Sequence, residues 1–182
     1  MAFDPLLSFL DDERTNAIHR RRTRSQWLRQ QAQAEATLEG TLLDLAEQQS
    51  PVAIRTRAGN THSGVIRSVG RDFVALSTRA GTDIYCLLGE VTTVRPQADG
   101  RHGPASGGRA GTLDLLFREF LDAAAEDRPW VTLTVTSGEQ ISGHLCAVGV
   151  DVVTMQVEGD GSSACYVSSA VVAEALFRSA SR

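Results

Sequence analysis

The chain has 182 residues, is 42% hydrophobic and 22% charged, and carries a formal net charge of −4. That is the composition of an ordinary globular protein with room for one moderate core or two small ones, and it excludes wholesale disorder. No apolar run approaches the roughly 18 residues of a membrane span, and Met1-Ala2-Phe3-Asp4 lacks the basic start of a secretory signal. A cytoplasmic protein with no membrane partner is therefore expected.

Asp4-Pro5, an N-cap followed by proline at the first helical position, opens a short amphipathic helix with Leu6, Leu7, Phe9 and Leu10. A second helix is expected from about Thr23 to about Gln49. Its latter half carries Leu38, Leu42, Leu45 and Ala46 at helical spacing, and Pro51 follows as a stop. Residues 1–35 then form a basic helical arm, and 36–95 a first folded unit.

Within that unit Val52, Ile54 and Thr56 alternate with Ala53, Arg55 and Arg57, the pattern of a half-buried strand, and Ala58-Gly59-Asn60 supplies a turn. Further strands are expected at 62–69, 73–78, 84–88 and 91–94. Residues 96–111 are glycine-rich, lack apolar periodicity and read as a flexible linker. A second unit, 112–177, repeats the order. Leu113, Leu116, Phe117, Phe120, Leu121 and Ala124 mark a helix capped by Thr112 and ended before Pro129, and strands are expected at 131–136, 141–148, 152–157, 164–167 and 171–174.

The two units are copies. Val52 to Val74 recurs 79 residues later as Val131 to Val153, and eight of the 23 paired positions are identical, including Gly59 with Gly138, Gly64 with Gly143 and Asp72 with Asp151. Such a repeat has to be found before any other fold assignment. Two like units should superpose, and their short edge strands, with unpaired N–H and C=O groups, should associate unit on unit or chain on chain. The strands around Tyr85 and Tyr166 carry no charge to block that.

Charge is unevenly spread. Residues 14–34 hold six arginines and no acid, whereas 112–176 hold two arginines against ten acids. Asymmetry of this kind bears on partners rather than on fold. Cys86, Cys146 and Cys165 form no CxxC pair and stand at no ligand spacing, so no metal, disulfide framework or cofactor is expected. Asp72 and Asp151 read as turn formers bonding their own backbone, and Trp130 as core. His62, His102 and His144 are paired with no nucleophile, and no nucleophile elbow or phosphate loop occurs. A non-enzymatic protein is expected.

The pattern Val-x-Ile-x-Thr-x-x-Gly-x-x-x-x-Gly-x-Ile-x-x-Val-Gly-x-Asp-Phe-Val-x-Leu across residues 52–76, behind a helix, resembles the Sm-like (LSm) fold. In its shorter loop after the second strand it is more similar to the Sm-like C-terminal domain of the ribosome maturation factor RimP, and the pairing of units resembles that of certain actinobacterial proteins. The resemblance covers both units. It implies a mainly β fold with α: two tandem Sm-like units, each a helix plus a five-stranded bent sheet or small barrel, behind a helical N-terminal arm. In RNA-binding Sm proteins an Asp and an Asn after the second strand and an Arg-Gly pair before the fifth form the base pocket. Here the loops read Gly70-Arg71-Asp72-Phe73 and Gly149-Val150-Asp151-Val152, and the second motif reads Leu88-Gly89 and Ser168-Ser169. No binding residue is carried over.

Arginine chemistry remains. Arg55 and Arg57 share the outer face of one strand, and Arg67 and Arg71 follow on the next strand and turn, a candidate phosphate-contacting surface. The alternative is a solvated face balanced by Glu39, Asp44 and Glu47. Arg20, Arg21, Arg22 and Arg24 with Trp27 could form a nucleic-acid arm in which the indole stacks on a base, or a surface that pairs with the acidic second unit. The expected function is binding of RNA or a ribonucleoprotein through arginine–phosphate contacts. The alternative is a scaffold that uses its units for assembly.

Overall fold

Alternating β-branched and polar residues, punctuated by glycine turns, build ten strands among the described residues. The computed structural model describes residues 24, 26–27, 30–31, 34–97, 112–157 and 163–178. The chain divides into two bodies, 1–37 with 102–105 and 38–101 with 106–182, and both repeats lie in the second. Of the N-terminal stretch, Arg24, Gln26, Trp27, Gln30, Gln31 and Ala34 are helical. The expected short helix at 4–10 and the linker core at 98–111 lie outside the described residues.

The first unit holds α1 (Leu38–Glu47), β1 (Pro51–Thr56), β2 (Thr61–Val69), β3 (Phe73–Ser77), β4 (Thr82–Leu87) and β5 (Val91–Pro96). The second holds α2 (Phe117–Ala125), β6 (Trp130–Val135), β7 (Gln140–Val148), β8 (Val152–Val157), β9 (Ser163–Ser168) and β10 (Val172–Arg178). The protein is thus mainly β with α. All strands join one sheet in the order β5-β1-β2-β3-β4-β10-β6-β7-β8-β9, and every ladder is antiparallel. Each half runs fifth-first-second-third-fourth, so the duplication seen in the sequence is repeated in the topology.

Detail repeats as well. Gly59 and Gly138 turn with φ of +92° and +90°, a conformation glycine adopts without strain. A side chain at Gly64 would strike the Ser77 carbonyl, and one at Gly143 the Gln156 carbonyl, so both let β2 and β7 bend tightly onto their neighbours. Register shifts fall between Ile66 and Ser68 and between Leu145 and Ala147, at matching places. Bulges of this kind bend the strand that carries them.

Two helices differ from expectation. The helix expected over 23–49 is interrupted at Glu35 to Thr37, and α1 resumes at Leu38. In the second unit residues 113–116 are extended and α2 begins only at Phe117, so Thr112 does not cap it. The reason is tertiary: Leu113 donates to the Val69 carbonyl at 2.9 Å and Leu115 accepts from the Arg71 N–H at 3.0 Å, which holds the segment against the first unit. β10 also runs four residues beyond the expected end at Glu174, because Ala175 to Arg178 pair with Tyr85 to Thr82.

Two cores result. Leu42, Leu45 and Ala46 of α1 pack with Val52, Ile54, Ile66, Val69, Val74 and Leu76. Phe117, Leu121 and Ala125 of α2 pack with Val131, Leu133, Leu145, Val153 and Met155. Each fully buried aliphatic side chain contributes about 1.5–3 kcal/mol. Among the described residues no helix is long and apolar enough to cross a membrane.

Candidate functional site: the seam and the arginines

The seam between the units is built by β4 and β10, whose register runs from Glu174 opposite Cys86 to Arg178 opposite Thr82. On one face Tyr85 of β4 stacks on Phe120 of α2 with centroids 4.0 Å apart and meets Phe177 of β10 edge-on at 5.3 Å. Phe73 of β3 completes the cluster 5.9 Å from Phe117 and 5.7 Å from Phe120. Phe73 belongs by sequence to the first unit and by packing to the core of the second. Burial, and next the charge of Asp83, raise the Tyr85 phenol above its ordinary value.

A polar cluster crosses the seam elsewhere. Glu174 is fully buried, and its carboxylate accepts from Thr56 Oγ1, from Asn60 Nδ2 at 3.1 Å and from His62 Nε2 at 2.7 Å. Burial alone would raise the Glu174 carboxyl, but hydrogen bonds from His62, Thr56 and Asn60, with the charge of His62, outweigh it and hold the group below its ordinary value. Cys86, opposite Glu174, has its thiol pushed well up, first by burial and then by that carboxylate. Every donor to Glu174 comes from the first unit. The cluster therefore joins the halves where an unpaired charge would be costly.

Asp72 forms a third tie. It was expected to bond its own turn, yet its side chain accepts the Phe117 N–H at 2.7 Å and caps α2 from the other unit. Only its main-chain carbonyl serves the local structure, accepting from Leu88 N–H at 2.8 Å. Its repeat partner Asp151 is exposed.

The arginines are dispersed. Arg55 lies opposite Thr61 at one end of β2, whereas Arg67 is six residues further along that strand, about 20 Å at the usual rise. Arg57 donates to the Gly89 carbonyl at 3.1 Å and lies 3.7 Å from Glu90, and Arg71 lies 3.8 Å from Asp114. These acids are not the Glu39, Asp44 and Glu47 named as balancing charges. Arg55 and Arg67 are exposed without an ion pair among the described residues, and Arg67 borders a shallow recess with Ser68, Ser77, Asp83 and Tyr85. Arg24 and Trp27, in the other body, are both exposed. Arg20, Arg21 and Arg22 lie outside the described residues.

Glu174, Asn60 and the aromatic cluster join the two repeats in a way the sequence reading missed. Glu174 carried a signal: it is the one acid in the apolar run Val171 to Leu176. Trp130, expected in the core, is half-buried against His144 with centroids 5.2 Å apart. Of the cysteines only Cys86 is buried. Among the described residues no group of three or more His, Cys, Asp or Glu side chains is placed to hold a metal ion. Compared with known proteins, the chain matches no family model and no curated protein.

Proposed function

We propose that this protein is a non-enzymatic assembly module: two tandem Sm-like units that bind other polypeptide through their sheet edges. The observation that carries this reading is the seam, where the β4 edge of one unit receives the β10 edge of the other and the joint is reinforced by Asp72, Glu174 and Tyr85. The Sm-like assignment rests on the motif in residues 52–76 and on the strand order common to both halves. An arginine surface is the weaker basis, since Arg57 and Arg71 already face acids and Arg55 stands far from Arg67.

A second reading, RNA or ribonucleoprotein binding, is favoured by the exposed Arg55, Arg67, Arg24 and Trp27 and by the six-arginine stretch at 14–34. Titrating a labelled RNA oligonucleotide at several salt concentrations separates the two. Binding through phosphates weakens steeply with salt, by a slope of about 0.7 per contact for single strands. The assembly reading expects no salt-dependent binding, and a steep slope that flattens in Arg55→Ala/Arg67→Ala or on removal of residues 1–34 would replace it with the RNA reading.

A further inference from the structure

The sheet has two outer edges, β5 and β9, and they are not alike. In β5 the Gln97 N–H donates to the Pro51 carbonyl at 2.7 Å, toward β1. Strand residues alternate in the side their N–H faces, so the nitrogen of Pro96 faces the open side, where it has no hydrogen to give. Its counterpart in the second unit is Phe177, which lies within the β4 ladder. Proline turned outward on an edge strand blunts that edge against strand addition, and neighbouring Arg95 adds a charge.

β9 has neither device. Ser163 to Ser168 contains no proline and no charge. The Ser169 N–H donates to the Asp151 carbonyl at 2.9 Å, toward β8, so Ala164, Tyr166 and Ser168 present their N–H and C=O groups outward. Among the described residues no strand pairs with that side. Tyr166 is 71% exposed, although its counterpart Tyr85 is packed in the seam, and Val150, in the loop tied to the end of β9, is 89% exposed.

We infer that β9 is the docking edge for β9 of a second copy of this chain, in a twofold dimer. Antiparallel pairing centred on Tyr166 sets Ala164 opposite Ser168 of the other copy, so every outward N–H and C=O of the strand is satisfied. The combined sheet then ends on both sides in an edge blunted by Pro96, which closes the assembly. A head-to-tail joint of β9 with β5 lacks the Pro96 N–H. It also lacks the seam's chemistry, because Val135, Glu139 and Ile141 stand where the first unit has Thr56, Asn60 and His62, and Thr93 stands where the second has Glu174. The dimer brings two acidic second units together, so salt strengthens it by screening their repulsion.

The inference rests on the assembly reading. Its test is the mass of the full-length protein by sedimentation equilibrium across concentration, at low and high salt. The expected result is a monomer–dimer equilibrium whose dimer fraction rises with salt. Ala164→Pro, which removes an outward N–H without touching the β8 ladder, and Tyr166→Glu, on an exposed side chain, each weaken the dimer about tenfold or more. Circular dichroism confirms that both remain folded. Pro96→Val leaves the dimer intact and adds larger species by reopening β5. A monomer at every concentration, an open-ended oligomer series in the unaltered protein, or a dimer that salt weakens and Ala164→Pro spares would each overturn the inference. Oligonucleotide binding is a separate readout, so loss of the assembly reading there is distinguishable from loss of the dimer here.

Discussion

The Asp72 carboxylate accepts the main-chain N–H of Phe117 at 2.7 Å, so a loop of one repeat caps the first turn of the other repeat's helix. The same aspartate in the second copy, Asp151, is exposed. Identical residues at matching positions therefore do different work, and the pair supplies its own control.

Replacing Asp72 with alanine is expected to lower stability by about 0.5–2 kcal/mol, the range for loss of an N-cap. Asp151→Ala should stay within about 0.5 kcal/mol, as for a surface change. Urea unfolding of the two variants checks this, and equal losses would show that Asp72 acts only within its own turn.

Glu174→Ala strands His62 and removes the acceptor for Thr56 and Asn60, so about 3–5 kcal/mol should be lost. Glu174→Gln keeps an acceptor oxygen and should cost less. Because each donor comes from the first unit, the alanine change should also loosen the seam. Hydrogen exchange at the β4 amides that face β10 should speed up before exchange in β1 and β2 does.

Acid should act through the same carboxylate. Its folded pKa lies below the ordinary value, so its contribution is fully present above the unfolded pKa of about 4.3 and disappears as pH falls through the folded value. The groups that face it are His62, Thr56, Asn60 and Cys86. Between about pH 5 and pH 3 the unaltered protein should lose more stability than Glu174→Gln, since the other carboxylates are common to both. Parallel unfolding curves across that window would remove the claim.

Tyr85→Ala opens a void against Phe120, Phe177 and Phe73, with an expected loss of about 2–4 kcal/mol. Tyr166→Ala, measured on dilute monomer, should be near neutral. Calorimetric midpoints of the two variants make the comparison.

Much of the fold is legible along the chain because its causes are local. The alternation at Val52, Ile54 and Thr56, the repeated turn glycines Gly59 and Gly138, and the stripe of Leu42, Leu45 and Ala46 each act within a few residues, and each marks its element. The misplaced start of α2 has a distant cause, the capture of Leu113 and Leu115 by Val69 and Arg71. Asp72 reaches 45 residues ahead, and His62 meets a carboxylate 112 residues away. No spacing rule covers such pairs. The arginines illustrate the converse, since Arg55 and Arg67 fall on consecutive strands, yet Arg55 of β1 lies opposite Thr61 at one end of β2 and Arg67 lies toward the other end of β2.

The seam also sets a timetable for synthesis. The first unit is complete at Pro96, but its β4 edge awaits a partner strand that ends at Arg178, 82 residues later (178 − 96). At about 5–20 residues per second that is an interval of roughly 4–16 s. Throughout it the nascent chain exposes Tyr85, Phe73 and an unpaired strand, while Asp72 waits for the helix it will cap. A folding helper that shields this edge, or a pause that shortens its exposure, would act on the first repeat and leave the second untouched.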